Sequence, residues 1–276
     1  MKPSDFKRHE GGAPFSPSGR ASFRMETHRY IGHVIYIMFK IDPATLNALV
    51  PEPLKPNPDG LAFAKLYQLK RRRPDSQYRE PAFSQYNEIV LATAVEYEGH
   101  IGHYNFFMWV TRDWAMWKGR EVIGWPKKIA DIDFTLHVPG EDALIAGDAS
   151  ADTDLVCTAS RYGHRIIESR ISFGENQNVP PLPPFDRVYT VRYLPSVEIP
   201  GKATAQLVEI RVRNTRSGPR RAGVGTLKFH DCPDEDLEIL QPREVLGAYY
   251  YPTGWDLPDY PGRVVHVYSE NELEEQ

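Results

Sequence analysis

From Tyr30 onward the chain reads as short runs of β-branched and aromatic residues, alternating with polar ones or closing into apolar stretches, and each run ends in Gly, Pro, Asn or Asp. Such runs predict strands at 30–40, 61–70, 88–97, 104–111, 132–138 and 143–147, and again at 155–161, 165–173, 188–193, 205–212, 225–230 and 263–268. Two stretches have helical spacing instead. Asp42 is placed to cap a helix over 43–50, with Pro43 at the first helical position, where its missing N–H is not needed. Asp113 is placed to cap 114–120. About twelve strands with two or three short helices predict a mainly β (α+β) fold built on a large antiparallel sheet. Residues 1–24, rich in Gly, Pro, Ser and charge, read as an arm that is mobile or contacts another subunit, leaving 25–276 as one domain. The proline-rich segment 176–184 reads as a long surface loop, since strands continue on both sides of it.

Composition removes several function classes. With 41% hydrophobic and 25% charged residues, the 276-residue chain has the make-up of an ordinary globular protein. A formal charge of −4 argues against nucleic acid as a partner, because phosphate binding needs a basic face. The longest apolar run, 34–39, is far short of the ~20 residues that span a bilayer, so no membrane association is expected. No apolar stretch near the amino end resembles a signal peptide, and the expected location is the cytoplasm. Cys157 and Cys232 are too few for a disulfide scaffold and lack metal-ligand spacing. The basic run at 70–73 reads as a solvated loop or as a clamp for an anion.

The segment with most chemical content is Gly119–Ala130, GREVIGWPKKIA. Trp125-Pro126 forces extended backbone, and two lysines follow among Ile123, Trp125, Ile129 and Ile132. In a strand Lys127 and Lys128 point to opposite faces, so one of them heads inward. Both lysines can be structural or surface residues, or the inward one can be an activated amine. A free lysine is almost wholly protonated at pH 7, and only the neutral amine attacks a carbonyl. Desolvation and a neighbouring cation both bias a lysine toward the neutral form. Because the two side chains diverge, desolvation is expected to dominate here and Lys128 to help modestly.

The run from 88 to 97, EIVLATAVEY, is apolar on both faces and therefore reads as a central strand with Glu88 at least partly buried. A buried carboxylate needs a partner or a role. Glu88 reads either as half of an ion pair with an arginine or as a general acid/base.

Taken together, these residues resemble the acetoacetate decarboxylase superfamily. The carrying features are Asp42-Pro-Ala-x-Leu46 running into Val50-Pro-Glu-Pro-Leu54, then Gly119-Arg-Glu121 followed by Pro126-Lys-Lys128. The likeness covers residues 30–67 and 80–133 well, and the carboxyl half as a strand pattern. It implies a sheet curled into a cone or barrel-like domain. It also implies that Lys127 forms a Schiff base, with Lys128 as its neighbour. The family's catalytic glutamate lies 39 positions before that lysine, the separation of Glu88 from Lys127. A symmetric homo-oligomer is implied too, together with a small keto-acid substrate. No metal or organic cofactor is implied, because the imine is itself the electron sink.

Two departures stand out. The decarboxylases carry an arginine early in their first strand, where this chain has Gly32, with Arg29 nearby on the other strand face. They also carry a second glutamate where this chain has Lys65. Both positions shape the pocket rather than the imine, and such departures occur in superfamily members that condense pyruvate with aldehydes and dehydrate the product. Tyr249, Tyr250 and Tyr251 form an aromatic cluster that reads as wall packing or as a source of a proton-donating hydroxyl. His100 and His103, three apart on a strand, face opposite sides and make no metal site. Three functions therefore remain open. They are a Schiff-base lyase, most simply a decarboxylase of a β-keto acid such as acetoacetate; an aldolase-dehydratase using the same lysine; and a non-catalytic protein that binds a hydrophobic ligand. Arg29, Lys65, Tyr250, Tyr251 and Trp125 are the candidates for substrate contact.

Overall fold

The computed structural model describes residues 2, 4–5, 15–19, 25–72, 80–136, 154–173, 178–185 and 187–269. Most of the arm at 1–24 and the predicted strand at 143–147 lie outside the described residues. The described strands are β1 (His28–Lys40), β2 (Lys55–Pro56), β3 (Leu61–Arg72), β4 (Gln85–Tyr97), β5 (His100–Val110), β6 (Lys127–Ile129), β7 (Asp131–Phe134) and β8 (Leu155–Arg161). They continue with β9 (His164–Ser172), β10 (Val188–Pro195), β11 (Ala203–Ile210), β12 (Arg213–Ser217), β13 (Arg221–Phe229), β14 (Glu244–Leu257) and β15 (Gly262–Val267). Two short α-helices, α1 (Pro43–Leu49) and α2 (Asp113–Trp117), complete the predicted mainly β pattern. No described helix is long and apolar enough to cross a membrane.

All the strands join one sheet in the order β15-β11-β10-β5-β4-β3-β1-β14-β13-β9-β8-β7, with β12 on β14, β2 on β4 and β6 on β5. Two pairings, β10 with β5 and β6 with β5, are parallel, which makes the expected antiparallel sheet a mixed one. The ends of this path do not pair with each other among the described residues, so the barrel-like curl implied by the family stops short of closure.

Alternation places the core. Ile35, Ile37 and Phe39 of β1, Ala64 and Leu66 of β3, Ile89 and Leu91 of β4 and Trp109 of β5 share one face. That face packs against Ile132, Cys157, Ile167 and Phe229 from β7, β8, β9 and β13. Each large apolar side chain buried here contributes roughly 1.5–3 kcal/mol. The opposite face of β1, β3, β4 and β5 carries a second set, including Tyr36, Phe63 and Val90. The central strands are thus buried on both sides, as their near-continuous apolar runs require.

Asp42 caps α1 as predicted, accepting from Ala44 N at 3.3 Å. The second helix differs: Arg112 is its N-cap, and Asp113 sits inside it, accepting from Trp114 N at 2.7 Å. Beyond Trp117 the chain widens into π winding over Lys118–Ile123 and stops at Gly124 (φ +94°). Only glycine suits that position, because its conformation is left-handed and a Cβ there would lie 2.6 Å from the Arg192 Cα. The turn delivers the chain to β6. Of the basic run, Lys70–Arg72 belongs to β3 rather than to a loop, and Arg71 lies 3.8 Å over the Trp114 ring while donating to Phe83 O.

Candidate active site

Three neighbouring strands bring the site together. Glu88 on β4 faces away from the main core, and Lys127 opens β6, which runs parallel to β5 with Lys127 opposite Met108. Lys127 Nζ donates to Glu88 Oε2 at 2.6 Å, and the two side chains are only 3% and 7% exposed. Of the two open readings of Glu88, the ion-pair partner is therefore this lysine and not an arginine. The Trp125 ring lies 4.8 Å from the same Nζ and the Tyr86 ring 5.9 Å, so the ammonium is enclosed by one carboxylate and two aromatic faces. Gly119 makes room for the lysine stem, since a Cβ there would come within 2.6 Å of Lys127 Cδ. Arg120 donates to the Lys127 carbonyl at 3.3 Å and so holds the strand rather than the pocket.

In front of this pair lies a cavity of about 300 Å³. Glu88 and Trp125 form part of its wall, and Lys127, which does not itself line the cavity, is bonded to that Glu88. Tyr36, Lys65, Tyr67, Val90, Met108 and Tyr251 line it as well, along with His103, Asn105 and Arg220. A larger open groove of about 730 Å³, around Gly32, Gln85 and Pro252, contains neither a carboxylate nor Lys127.

The candidates separate accordingly. Lys65, Tyr251 and Trp125 line the cavity with Glu88. Lys128 does not: it points to the opposite face, where its Nζ meets Glu235 Oε2 at 3.0 Å and the Asp234 carbonyl at 3.1 Å. Glu235, fully enclosed, also pairs with Arg161 and accepts from Trp109 Nε1 at 3.3 Å. The charge of Lys128 is thus compensated on the far side of the strand, the divergence expected of consecutive strand residues, and its modest help to the nucleophile finds no contact here. Arg29, a candidate for substrate contact, does not line the cavity: its side chain is 51% exposed and bound to Asp256 Oδ1 at 3.0 Å. Tyr250 faces away from the cavity and stacks on His33, at 5.5 Å between ring centroids, because consecutive residues of β14 alternate in direction.

Tyr36, Tyr67, Arg220, His103 and Asn105 are members that sequence reasoning missed, the last two for a traceable reason. A β-bulge at Phe106 sets Leu91 opposite Phe107 but Ala92 opposite Asn105. The extra residue inverts the alternation along β5, so His103 and Asn105 join Met108 on the cavity side. Lys65 Nζ and His103 Nε2 are 3.1 Å apart. Burial brings the Lys65 amine down to about 7. Burial, reinforced by the charge of Lys65, holds the His103 imidazole well below its usual range. Burial also pushes the phenols of Tyr36 and Tyr67 well above 10 and that of Tyr251 to about 12, so these hydroxyls keep their protons. The buried atoms His103 Nδ1, Asn105 Oδ1 and Trp125 Nε1 have no hydrogen-bond partner among the described residues.

Comparison with known proteins gives a consistent picture. The sequence profile described as acetoacetate decarboxylase (ADC) matches residues 12–268. The chain is 27% identical to the acetoacetate decarboxylase of Streptomyces nogalater over 257 residues, covering 93% of this chain and 96% of that one. It is 32% identical to the acetoacetate decarboxylase of Burkholderia vietnamiensis over 145 residues, a match that spans about half of each chain (52% and 53%). Among solved structures, an acetoacetate decarboxylase-like enzyme from Sphingomonas wittichii RW1 aligns with a TM-score of 0.82 at 24% identity, covering 94% of this chain and all of that one. The enduracididine biosynthesis enzyme MppR, in complex with pyruvate, aligns at 0.79 and 23% identity, covering 94% and 98%. At these identities the structural likenesses establish the fold alone.

Proposed function

Because the chain belongs to the acetoacetate decarboxylase family, we propose that it forms an imine between Lys127 and the carbonyl of a small keto acid and uses that imine as an electron sink. The observation that carries this reading is the buried 2.6 Å contact between Lys127 Nζ and Glu88 Oε2 at the wall of a cavity. The neutral amine attacks the ketone, and the resulting carbinolamine loses water to give a protonated imine. Glu88 takes the proton that the ammonium gives up and returns it to the departing hydroxyl. For a β-keto acid, the electron pair of the breaking carbon–carbon bond flows into the imine nitrogen and carbon dioxide leaves. The enamine is then protonated at carbon, with the Tyr67 and Tyr251 hydroxyls at hand as donors, and hydrolysed. Such a cycle calls for no metal or organic cofactor.

One observation favours a second outcome on the same imine. Lys65 places an amine in the cavity, and an ion pair with it stabilises a carboxylate that decarboxylation must break up. A keto acid that keeps its carboxylate, such as pyruvate, would instead lose a proton to give an enamine, add to an aldehyde and lose water. The assays separate the two: acetoacetate should release carbon dioxide under the first reading, and pyruvate with an aromatic aldehyde should develop a new conjugated absorbance under the second. Both require that borohydride reduction in the presence of a keto acid leaves an adduct on Lys127, located by peptide mass spectrometry. If the folded protein gains none, both imine readings fail and the non-catalytic binder is the reading left.

Gly119→Ala gives an independent check. The three atoms nearest the new methyl group all belong to the Lys127 side chain, so the lysine stem must give way and the melting temperature should fall modestly. The amine would shift by a fraction of an ångström or more, and turnover should fall about tenfold to a hundredfold. An unaffected rate would mean that the position of this stem is irrelevant to the chemistry.

A further inference from the structure

Resting on the imine reading above, we infer that Lys65, backed by His103, receives the carboxylate of the substrate while its carbonyl meets Lys127. Lys65 is buried in the cavity wall, its polar contact is the neutral His103 ring, and it forms no ion pair among the described residues. A buried amine that lacks a carboxylate is costly to retain, and burial already holds this one to about 7. The cavity offers it no anion of its own, because Glu88 is committed to Lys127. When the Lys65 ammonium donates to His103 Nε2, the ring proton sits on Nδ1, a buried donor with no acceptor among the described residues. The site therefore presents positive charge and an unspent donor, the complement of an organic acid.

The sheet register supplies the spacing. Tyr36, Lys65, Val90, Met108 and Lys127 lie directly opposite one another across β1, β3, β4, β5 and β6. Directly opposed residues share a face, so both lysines rise from one row with Val90 and Met108 as an apolar floor between them. Three strand spacings put the two backbones roughly 14 Å apart along the sheet. At rest the Lys65 amine leans toward His103 and the Lys127 amine toward Glu88, so a short keto acid bound between them would draw both long side chains inward over that floor, one amine at each end.

The test is calorimetric titration of the full chain with 3-hydroxybutyrate, which has no carbonyl and forms no imine, and with its neutral amide. The acid should bind at least about tenfold more tightly than the amide, Lys65→Met should abolish that preference while leaving amide binding intact, and Lys65→Arg should keep most of it. The preference should fade between about pH 7 and pH 9 as Lys65 loses its proton. Among the other groups facing it, the Tyr36, Tyr67 and Tyr251 phenols stay protonated and His103 stays neutral across that range, while Glu88 is paired with Lys127. Arg220 also lines the cavity, and a preference of its own would survive in Lys65→Met. No acid preference in the wild type, or its survival in Lys65→Met, overturns the inference. So does a borohydride adduct on Lys65, since the attacking amine is not the anchor. Loss of the Lys127 adduct alone would sink the imine reading and leave the calorimetric result standing.

Discussion

Lys127→Ala should lower turnover of any keto-acid substrate by at least about four orders of magnitude, because the group that forms the covalent intermediate has no substitute. The amine that lines the cavity, Lys65, stands three strands away from Lys127. The alanine variant also leaves Glu88 enclosed without its partner, so lost activity could be confused with lost structure. Lys127→Arg separates the two effects. A guanidinium still pairs with the carboxylate but cannot form an imine, so this variant should keep a melting temperature near that of the wild type and be equally inactive. Carbon dioxide release, conjugated-product absorbance and thermal melting read out the three quantities. Activity within about tenfold of wild type in either variant would remove Lys127 from the chemistry.

That pair was legible in the sequence for a simple reason. Trp125-Pro126 fixes extended backbone, alternation then sends one lysine inward, and the two-faced apolar run of β4 buries Glu88. Alternation also put Arg29 on the wrong face for the cavity, where the structure finds it half exposed on Asp256. What alternation cannot show is a break in its own rhythm or a partner distant in sequence. The bulge at Phe106 leaves no mark in composition, and it alone brings His103 to the cavity. Lys128 is drawn to Glu235, a residue 107 positions away. The 14-residue β14 escaped prediction because Gly247, Pro252 and Gly254 punctuate it like a turn. Pro252 is tolerated because of what lies beside it. The neighbour of β14 changes from β13, which pairs as far as Tyr250, to β12, which begins at Thr253, so the prolyl nitrogen falls in the gap between the two ladders.

Glu88→Leu is expected to lower stability by about 3–5 kcal/mol, since it strands a lysine that is 3% exposed. For a chain of this size that corresponds to a fall of roughly 5–9 °C in melting temperature. The double variant Glu88→Leu/Lys127→Met should recover most of it, and can exceed the wild type. Drawing two charges out of water costs more than their attraction returns, and Val90, Met108 and Trp125 already provide apolar surroundings for the replacements. The thermodynamic cycle through the two single variants then distinguishes two reasons for keeping the pair. If the double variant is as unstable as Glu88→Leu alone, the contact is a structural element that the fold depends on, and its place beside the cavity is incidental. If stability returns while every trace of imine trapping is lost, the fold has no need of the two charges. The energy spent on burying them then serves to hold an amine and its proton acceptor together in a dry site, which is what imine chemistry requires.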